Sequence, residues 1–472
     1  MKLTNGWNYR PYTELFNMKR GDLPYICRLS HNENSFTADY IDNAAEGEPH
    51  TLMWRQRDKG NYTAVPISGG TVTVTGLCNY TDYEFYICRR NNPDERSETR
   101  LVRTGFAPGK VINYLHPEDT AYAFSGTALD SPSLVKLPSG RIVVSMGIHK
   151  SALYGENLTI LYYSDNGGED FHYLCEIFPA EWGKLFYDGG RLYLLAVSRP
   201  YGDLLIGCSE DEGVTWSMPT VLLRGSAVSA TGGIHRSPNP ILKYKGRIIA
   251  DLQCGTWFKN IFLNAILSAK EGSDLLDVNN WALSEWWDHR EHQKIVPTSN
   301  GGITGDTKIA KDSIGGIEGN PVVTADGRVL VIHRYGDGKP LVLEYDIDNP
   351  TAPIKDAWLV DMPIKDAKAP ILYDEISRRH YMLCNYIPDG AEKIGRNVCA
   401  IMSSEDLKEW KLLEIILDYR NEDPSKFGVQ YFDFDFDGDD IVFISRTACS
   451  GAANFHDGNH ITFHRIKNFR SL

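Results

Sequence analysis

The chain has 472 residues, 42% hydrophobic and 11% aromatic, which is enough to bury a sizeable core and to build more than one domain. A formal net charge of −13 speaks against nucleic acid and anionic membrane as partners, since both demand a basic face. The nine cysteines are scattered without a CxxC pair and mostly sit in apolar runs, so they read as buried thiols and argue against a disulfide framework or a zinc site.

Residues 1–21 form an N-terminal extension with neither a continuous apolar stretch nor a small-residue cleavage pattern. No signal peptide or membrane helix is expected there, which places the protein in the cytoplasm, or outside the cell if a leader has been trimmed. Residues 22–106 alternate apolar and polar positions through SFTADYI, HTLMWRQRD, YTAVPIS, TVTVTGL, YEFYICRR and ETRLVRTG, the pattern of an immunoglobulin-like β-sandwich. The run Val74 to Leu77 followed by Tyr80, Tyr83 and Tyr86 resembles the fibronectin type III pattern, in which a tyrosine near the start of one strand forms a corner. Such a module would space or dock an enzyme.

From 107 to 472 a hairpin signature recurs six times, as an apolar run, a polar turn and a second apolar run. The turns at Gly140, Gly190, Gly246, Gly327, Arg378 and Gly438 lie about 50 to 60 residues apart, with one gap of about 80. That period suits four short strands per unit and predicts an all-β, six-bladed β-propeller. Closing the ring is favoured over an open array of sandwiches because a lone four-stranded meander exposes both edges and one apolar face.

Within the repeat, Ser209-x-Asp211-x-Gly213-x-Thr215-Trp216 is a self-tied turn, with weaker copies at Ser164 to Phe171 and at Ser403 to Trp410. The Ser and Asp side chains bond the turn backbone, Gly213 supplies a positive φ and Trp216 plugs the gap between blades. This pattern is the Asp-box, or BNR repeat, and with it the chain resembles the sialidase (neuraminidase) superfamily of six-bladed propellers. The resemblance implies a carbohydrate-active enzyme, a glycoside hydrolase.

In a propeller, residues just before each inner strand and just after each second strand crowd one opening. Leading ends supply Asp130, Trp182, His235, Arg236, Glu318, Asn320, Lys368, Tyr431 and Asp433. Trailing ends supply His149, Arg199, Trp257, Arg334, Tyr335, Asn385, Tyr386 and Arg446, and the loop carrying His456 and Asp457 reaches the same mouth. Glu318 and Arg334, sixteen residues apart on paired strands, face each other there. They look like the sialidase pair in which Glu serves as base for a catalytic Tyr and Arg binds the substrate; the Tyr position falls on Tyr431. A carboxylate that takes the phenolic proton turns a weak nucleophile into a useful one.

The first blade departs from the family. Where sialidases carry Arg-Ile-Pro, this chain has Asp130-Ser131-Pro132, an anion in place of a cation, which disfavours an ordinary sialic acid carboxylate at that point. The acid/base Asp of the family has no Asp counterpart, and Glu156 and His149 are the nearest titratable groups. The expected catalytic set is therefore Glu318, Tyr431, Asp130 and His149. Substrate contacts are expected from His235, Arg236, Arg334, Asn320, Arg199, Tyr386, Arg446, His456 and Asp457.

Three functions fit these residues: an exo-acting glycoside hydrolase on a sugar other than ordinary sialic acid; a polysaccharide lyase using His149, His235 and Tyr386 on a uronate; and a non-catalytic glycan-binding propeller. An oligosaccharide or polysaccharide is the expected partner in each. No cofactor or metal is expected: neither HExxH nor an EF-hand, P-loop or dinucleotide spacing occurs, and Asp435 to Asp440 read as a solvated hairpin. The Gly/Ser/Asp-rich insertion 290–316 accounts for the long gap. With Trp281, Trp286 and Trp287 before it, it is expected to cover the pocket and stack on sugar faces.

Overall fold

The computed structural model describes residues 7–9, 23–45, 47–150, 155–291, 313–390 and 394–472. Among the described residues, apart from two short 3-10 turns, the regular structure is all strand, as the period-2 patterns require. Among the described residues no helix is long and apolar enough to cross a membrane.

Residues 25–103 form two facing sheets. One pairs Tyr25–His31, Ser35–Ile41 and Thr71–Thr75; the other orders Thr63–Ile67, His50–Gln56, Asp82–Arg89 and Arg100–Arg103. Their alternating inward side chains, among them Leu29, Phe36, Leu52, Phe85 and Val102, are fully buried between the sheets. The Tyr83 hydroxyl accepts from the Cys78 backbone N–H at 2.8 Å and ties the corner between the sheets. The strand Tyr25–His31 goes unread in the sequence because its face toward the propeller is buried as well, which removes the alternation.

The remaining strands make six radially arranged antiparallel sheets. Blade 1 is built from Ala128–Lys136, Ile142–His149, Thr159–Ser164 and His172–Ile177, with Asn8–Tyr9 added at its outer edge; blade 2 from Glu181–Asp188, Arg191–Val197, Leu204–Ser209 and Thr220–Leu223. In blade 3 the inner strand is broken into Gly233–His235 and Leu242–Tyr244, because Pro238 and Pro240 between them cannot donate to the ladder. Blade 4 begins with Ile317–Val323 and Val329–Arg334, blade 5 with Ile371–Asp374 and Arg379–Asn385, and blade 6 with Gly428–Asp437 and Asp440–Ala448. Blade 6 takes its outer strand from upstream of blade 1: Lys110–Tyr114 pairs with His460–Ile466 and closes the ring.

Buried polar side chains bridge every boundary of the wheel, each bonding the backbone of a neighbouring blade. Ser133 accepts from Leu185 N, Arg236 donates to Leu195 O, and Asn239 donates to Gly319 O. Asn320 pairs with both backbone groups of Ile371, Asn385 donates to Val429 O, and Asp433 accepts from Leu134 N. Apolar packing holds blade faces together without direction, whereas these bonds fix one blade's height against the next.

Four inner strands carry the same irregularity near the rim, a bulge whose second residue sits in the left-handed region: Ser131 at φ 44°, Trp182 at 51°, Glu318 at 53° and Tyr431 at 52°. The extra residue turns one side chain out of the ladder toward the mouth. Two positions further on, the same bulges present Ser133, Lys184, Asn320 and Asp433 to the neighbouring blades.

The self-tied turns are as the local chemistry predicts. Ser209 Oγ accepts from Gly213 N at 2.7 Å, Asp211 accepts from Thr215 N at 2.8 Å, Gly213 has φ 97°, and Trp216 is buried between blades 1 and 2. In blade 5 the tied serine is Ser404 rather than Ser403, with Asp406 as its acid partner. Seven of the nine cysteines are buried, in keeping with their apolar runs.

Candidate active site

Arg334, at the trailing end of a blade 4 strand, is the hub of the mouth. Its Nη1 donates to Glu318 Oε2 at 3.2 Å and to the Tyr431 hydroxyl oxygen at 3.1 Å. Its Nε donates to Asp366 Oδ1 at 2.6 Å, which fixes the plane of the guanidinium. Burial alone would lower its pKa, but Glu318, Tyr431 and Asp366 together raise it well above the ordinary value, so it stays a cation. Glu318 and Tyr431 are buried, at 8% and 7% exposure, yet Glu318, Arg334 and Asp366 line one cavity beside blade 5.

The bulge at Glu318 is held from behind. Asp251 Oδ2 accepts from Gly319 N at 2.7 Å and from Gln253 Nε2 at 2.5 Å, Gln253 Oε1 accepts from Glu318 N at 3.3 Å, and His333 Nε2 lies 3.0 Å from Asp251 Oδ1. Burial would raise Asp251, but His333 and the hydrogen bonds outweigh it and leave its carboxyl below the usual range.

Two further guanidinium groups cover the Tyr431 ring, Arg446 at 5.1 Å and Arg396 at 5.6 Å from its centroid. Arg396 reaches in from the loop between the second and third strands of blade 5 and donates to Gln430 Oε1 at 2.9 Å. Arg446 donates to His456 Nδ1 at 3.2 Å and lies 3.9 Å from both Asp130 and Asp457. Burial pushes His456 down to about 4, so it sits here as the neutral acceptor.

The first-blade side of the mouth is acidic. Asp130, 2% exposed, accepts from Ser131 Oγ at 3.1 Å, and His149 Nδ1 lies 3.7 Å from its Oδ2 and 3.3 Å from Glu156 Oε2. Beneath them Glu181 is fully buried with no hydrogen bond to either oxygen. Burial raises Asp130 and raises Glu181 further, with Asp130's charge adding to the latter. Burial alone would lower His149, but Glu156 and Asp130 outweigh it and hold the imidazole above its usual pKa.

The structure therefore gathers Glu318, Tyr431, Arg334, Arg446, His456, Asp457, Asp130 and His149 around one opening. Other expected contacts are taken up by the scaffold. Asn320 is bonded to Ile371, Arg236 donates to Trp182 O and Leu195 O, and burial lowers Arg236 to about 10. His235 lies between the rings of Trp182 and Phe262, 4.7 Å from each, and burial pushes it down to about 4. Tyr386 packs in the apolar seam between blades 4 and 5.

Asp433 and Lys368, fully buried, are also scaffold: Asp433 binds Lys184 at 2.5 Å and Lys368 donates to Pro238 O at 2.8 Å. Asp435 is no solvated turn residue, since it accepts from Lys136 N of blade 1. Trp281, Trp286 and Trp287 pack within and between blades rather than over the opening, and most of the insertion expected to cover the pocket, residues 292–312, lies outside the described residues.

Sequence reasoning missed Arg396, Asp366, Gln253 and Glu181. The first two sit on loops rather than strand ends. Glu181 had a usable signal, since it precedes Trp182 as Asp130 precedes Ser131 and Gln430 precedes Tyr431.

No protein-family model matches this sequence, and no curated protein matches it. Among solved structures the fold is shared with a Hadza microbial sialidase, at 12% identity and a TM-score of 0.50 over 94% of this chain and 95% of the other. It is shared as well with a leech intramolecular trans-sialidase complexed with 2,7-anhydro-Neu5Ac, at 9% identity and a TM-score of 0.50 over 94% and 91%. At these identities the likeness is one of fold: the chain is a sialidase-like β-propeller.

Proposed function

We propose that the protein is an exo-acting glycoside hydrolase of the sialidase-like type, acting on a sugar other than ordinary sialic acid. The observation that carries this reading is the single nitrogen, Arg334 Nη1, that binds both the Glu318 carboxylate and the Tyr431 oxygen. A phenol held beside a carboxylate and under a fixed cation is prepared to lose its proton as it attacks.

In this reading Tyr431 Oη bonds to the anomeric carbon as the bond to the leaving oxygen breaks, and the phenolic proton passes to Glu318. The leaving oxygen takes a proton from Glu156, which stands at the rim beside His149. Water then cleaves the tyrosyl–sugar bond, Glu318 returns its proton to the phenolate, and Glu156 takes one from the water. Asp130 is too deep for the acid role, lying under His149 at 2% exposure.

Its negative charge at the place where the family has an arginine supports a substrate other than a sialic acid held there by its carboxylate. Arg446 and Arg396 remain over the Tyr431 ring for polar or acidic groups. The lyase set receives no comparable support, because His235 and Tyr386 are packed into the scaffold. A screen of aryl glycosides and uronate-containing oligosaccharides tests the reading. Release of the aryl alcohol sustains it, and new absorbance near 235 nm from an unsaturated uronate would replace it with elimination.

A further inference from the structure

We propose that Asp130, Glu181 and His149 form a binding site for one divalent cation, in the acidic wall of the mouth. The three come from the inner strand of blade 1, the inner strand of blade 2 and the trailing end of blade 1's second strand, and one donor atom of each lies within 4.8 Å of the others.

The independent sign of a missing ligand is the state of the carboxylates. Asp130 Oδ1 and both oxygens of Glu181 are buried without a hydrogen-bond partner, in residues 2% and 0% exposed. Buried carboxylate oxygens are ordinarily satisfied, because stripping them of water is costly. All three converge on one spot: a Cβ placed on Gly147, which pairs with Asp130 across the ladder, would lie 2.4 Å from Asp130 Oδ1 and 3.2 and 3.4 Å from the Glu181 oxygens. A glycine at 147 keeps that approach open.

Charge points the same way. Asp130, Glu181 and Glu156 crowd together, and the cation near them, Arg446, is 3.9 Å from Asp130 and is shared with Asp457 and His456. A divalent ion would neutralise this wall. Two carboxylates and an imidazole suit zinc or manganese better than the all-oxygen coordination of calcium or magnesium. With the ion bound, His149 is a ligand and Glu156 keeps its place at the rim.

The site shares the mouth with the proposed hydrolase, and its test reads ion binding rather than turnover, so either reading can fail alone. The full chain, treated with EDTA and dialysed, would be titrated with Zn2+, Mn2+ and Ca2+ by calorimetry and by thermal unfolding. One equivalent of Zn2+ or Mn2+ is expected to bind and raise the unfolding midpoint, with Ca2+ weaker. Glu181→Gln, which keeps the shape and removes the charge, should weaken binding at least tenfold. Should that variant fail to fold, His149→Gln at the partly open strand end should erase the preference for Zn2+ over Ca2+. Absence of saturable binding by any of the ions overturns the proposal and leaves a carboxyl pair sharing a proton; undiminished binding in both variants overturns it as well.

Discussion

Glu318 and Tyr431 occupy the same station in two different blades: each is the left-handed residue of a rim bulge, at φ 53° and 52°, and both touch Arg334 Nη1. A non-glycine residue in that region costs on the order of 1–3 kcal/mol. The cost is met by what clamps the bulges, Asp251 on Gly319 N in one case and Asp433 on Leu134 N in the other. The backbone is thereby committed before any substrate arrives, which is what a pre-organised site needs.

Tyr431→Phe is the most direct consequence. The ring and its strained backbone stay, and only the oxygen that Arg334 binds is lost. Turnover of any aryl glycoside cleaved by the wild type should fall by about 10³-fold or more, and Glu318→Gln by about 10²–10⁴-fold. The circular dichroism spectrum of both variants should match the wild type. Full activity in either variant would remove that residue from the chemistry.

Arg334→Lys separates charge from geometry. A lysine keeps the positive charge, but a single ammonium cannot serve Glu318, Tyr431 and Asp366 from the fixed plane that Arg334 uses. The expected result is a fall in kcat of about 10²-fold, with a smaller change in KM, because the interaction lost is the one aligned on the nucleophile. A change confined to KM would instead make Arg334 a substrate-binding group.

Much of this was legible in the chain. Six hairpin turns fixed the blades, and the leading and trailing ends of strands named Glu318, Arg334, Tyr431, Asp130, His149 and Arg446 for the mouth. What failed to show is the bulge. In Asp130-Ser-Pro-Ser133, Glu181-Trp-Gly-Lys184, Ile317-Glu-Gly-Asn320 and Gln430-Tyr-Phe-Asp433, the second residue faces the rim and the fourth bonds a neighbouring blade. A strand read with strict alternation gives all of its polar leading residues to the opening, which is why Asn320 and Asp433 were placed there. Arg396 and Asp366 were hidden for another reason: loops have no period, and only the packing of consecutive blades brings Asp366 to Arg334 and Arg396 to Tyr431.

The Lys184–Asp433 pair bridges blades 2 and 6 at the centre of the wheel, with side chains 7% and 0% exposed. Asp433→Ala would leave a buried ammonium without its partner and free the Leu134 N–H. Removing one member of such a pair costs about 3–5 kcal/mol. Replacing both, as Lys184→Met with Asp433→Leu, should recover a good part of that loss, since the desolvation of two charges disappears with them. Urea unfolding of the single and double variants reads the difference, and equal destabilisation by both would show that the backbone bond to Leu134, not the ion pair, is what matters.

His31 of the sandwich and His460 of blade 6 meet with their Nε2 atoms 2.6 Å apart, both buried, against the ring of Tyr114. His460 Nδ1 lies 2.8 Å from Asn459 Oδ1 and donates there, so its Nε2 is the acceptor and His31 Nε2 carries the shared proton. Cys449 Sγ, 3.6 Å from His460 Nδ1, offers no charge to stabilise an imidazolium. Burial pushes His31 down to about 4, and burial with the neighbouring imidazole lowers His460 further. The folded state therefore binds fewer protons than the unfolded chain, whose histidines titrate near 6.5. The stability tied to this pair is complete above about pH 6.5 and is lost as pH falls from there through about 4, by roughly 3 kcal/mol for His31 alone. Urea unfolding at several pH values between 7 and 4 should show wild-type stability dropping more steeply than that of His31→Leu, which lacks one of the pair's two proton sites. Parallel curves would mean that the contact between sandwich and propeller opens before either ring is protonated.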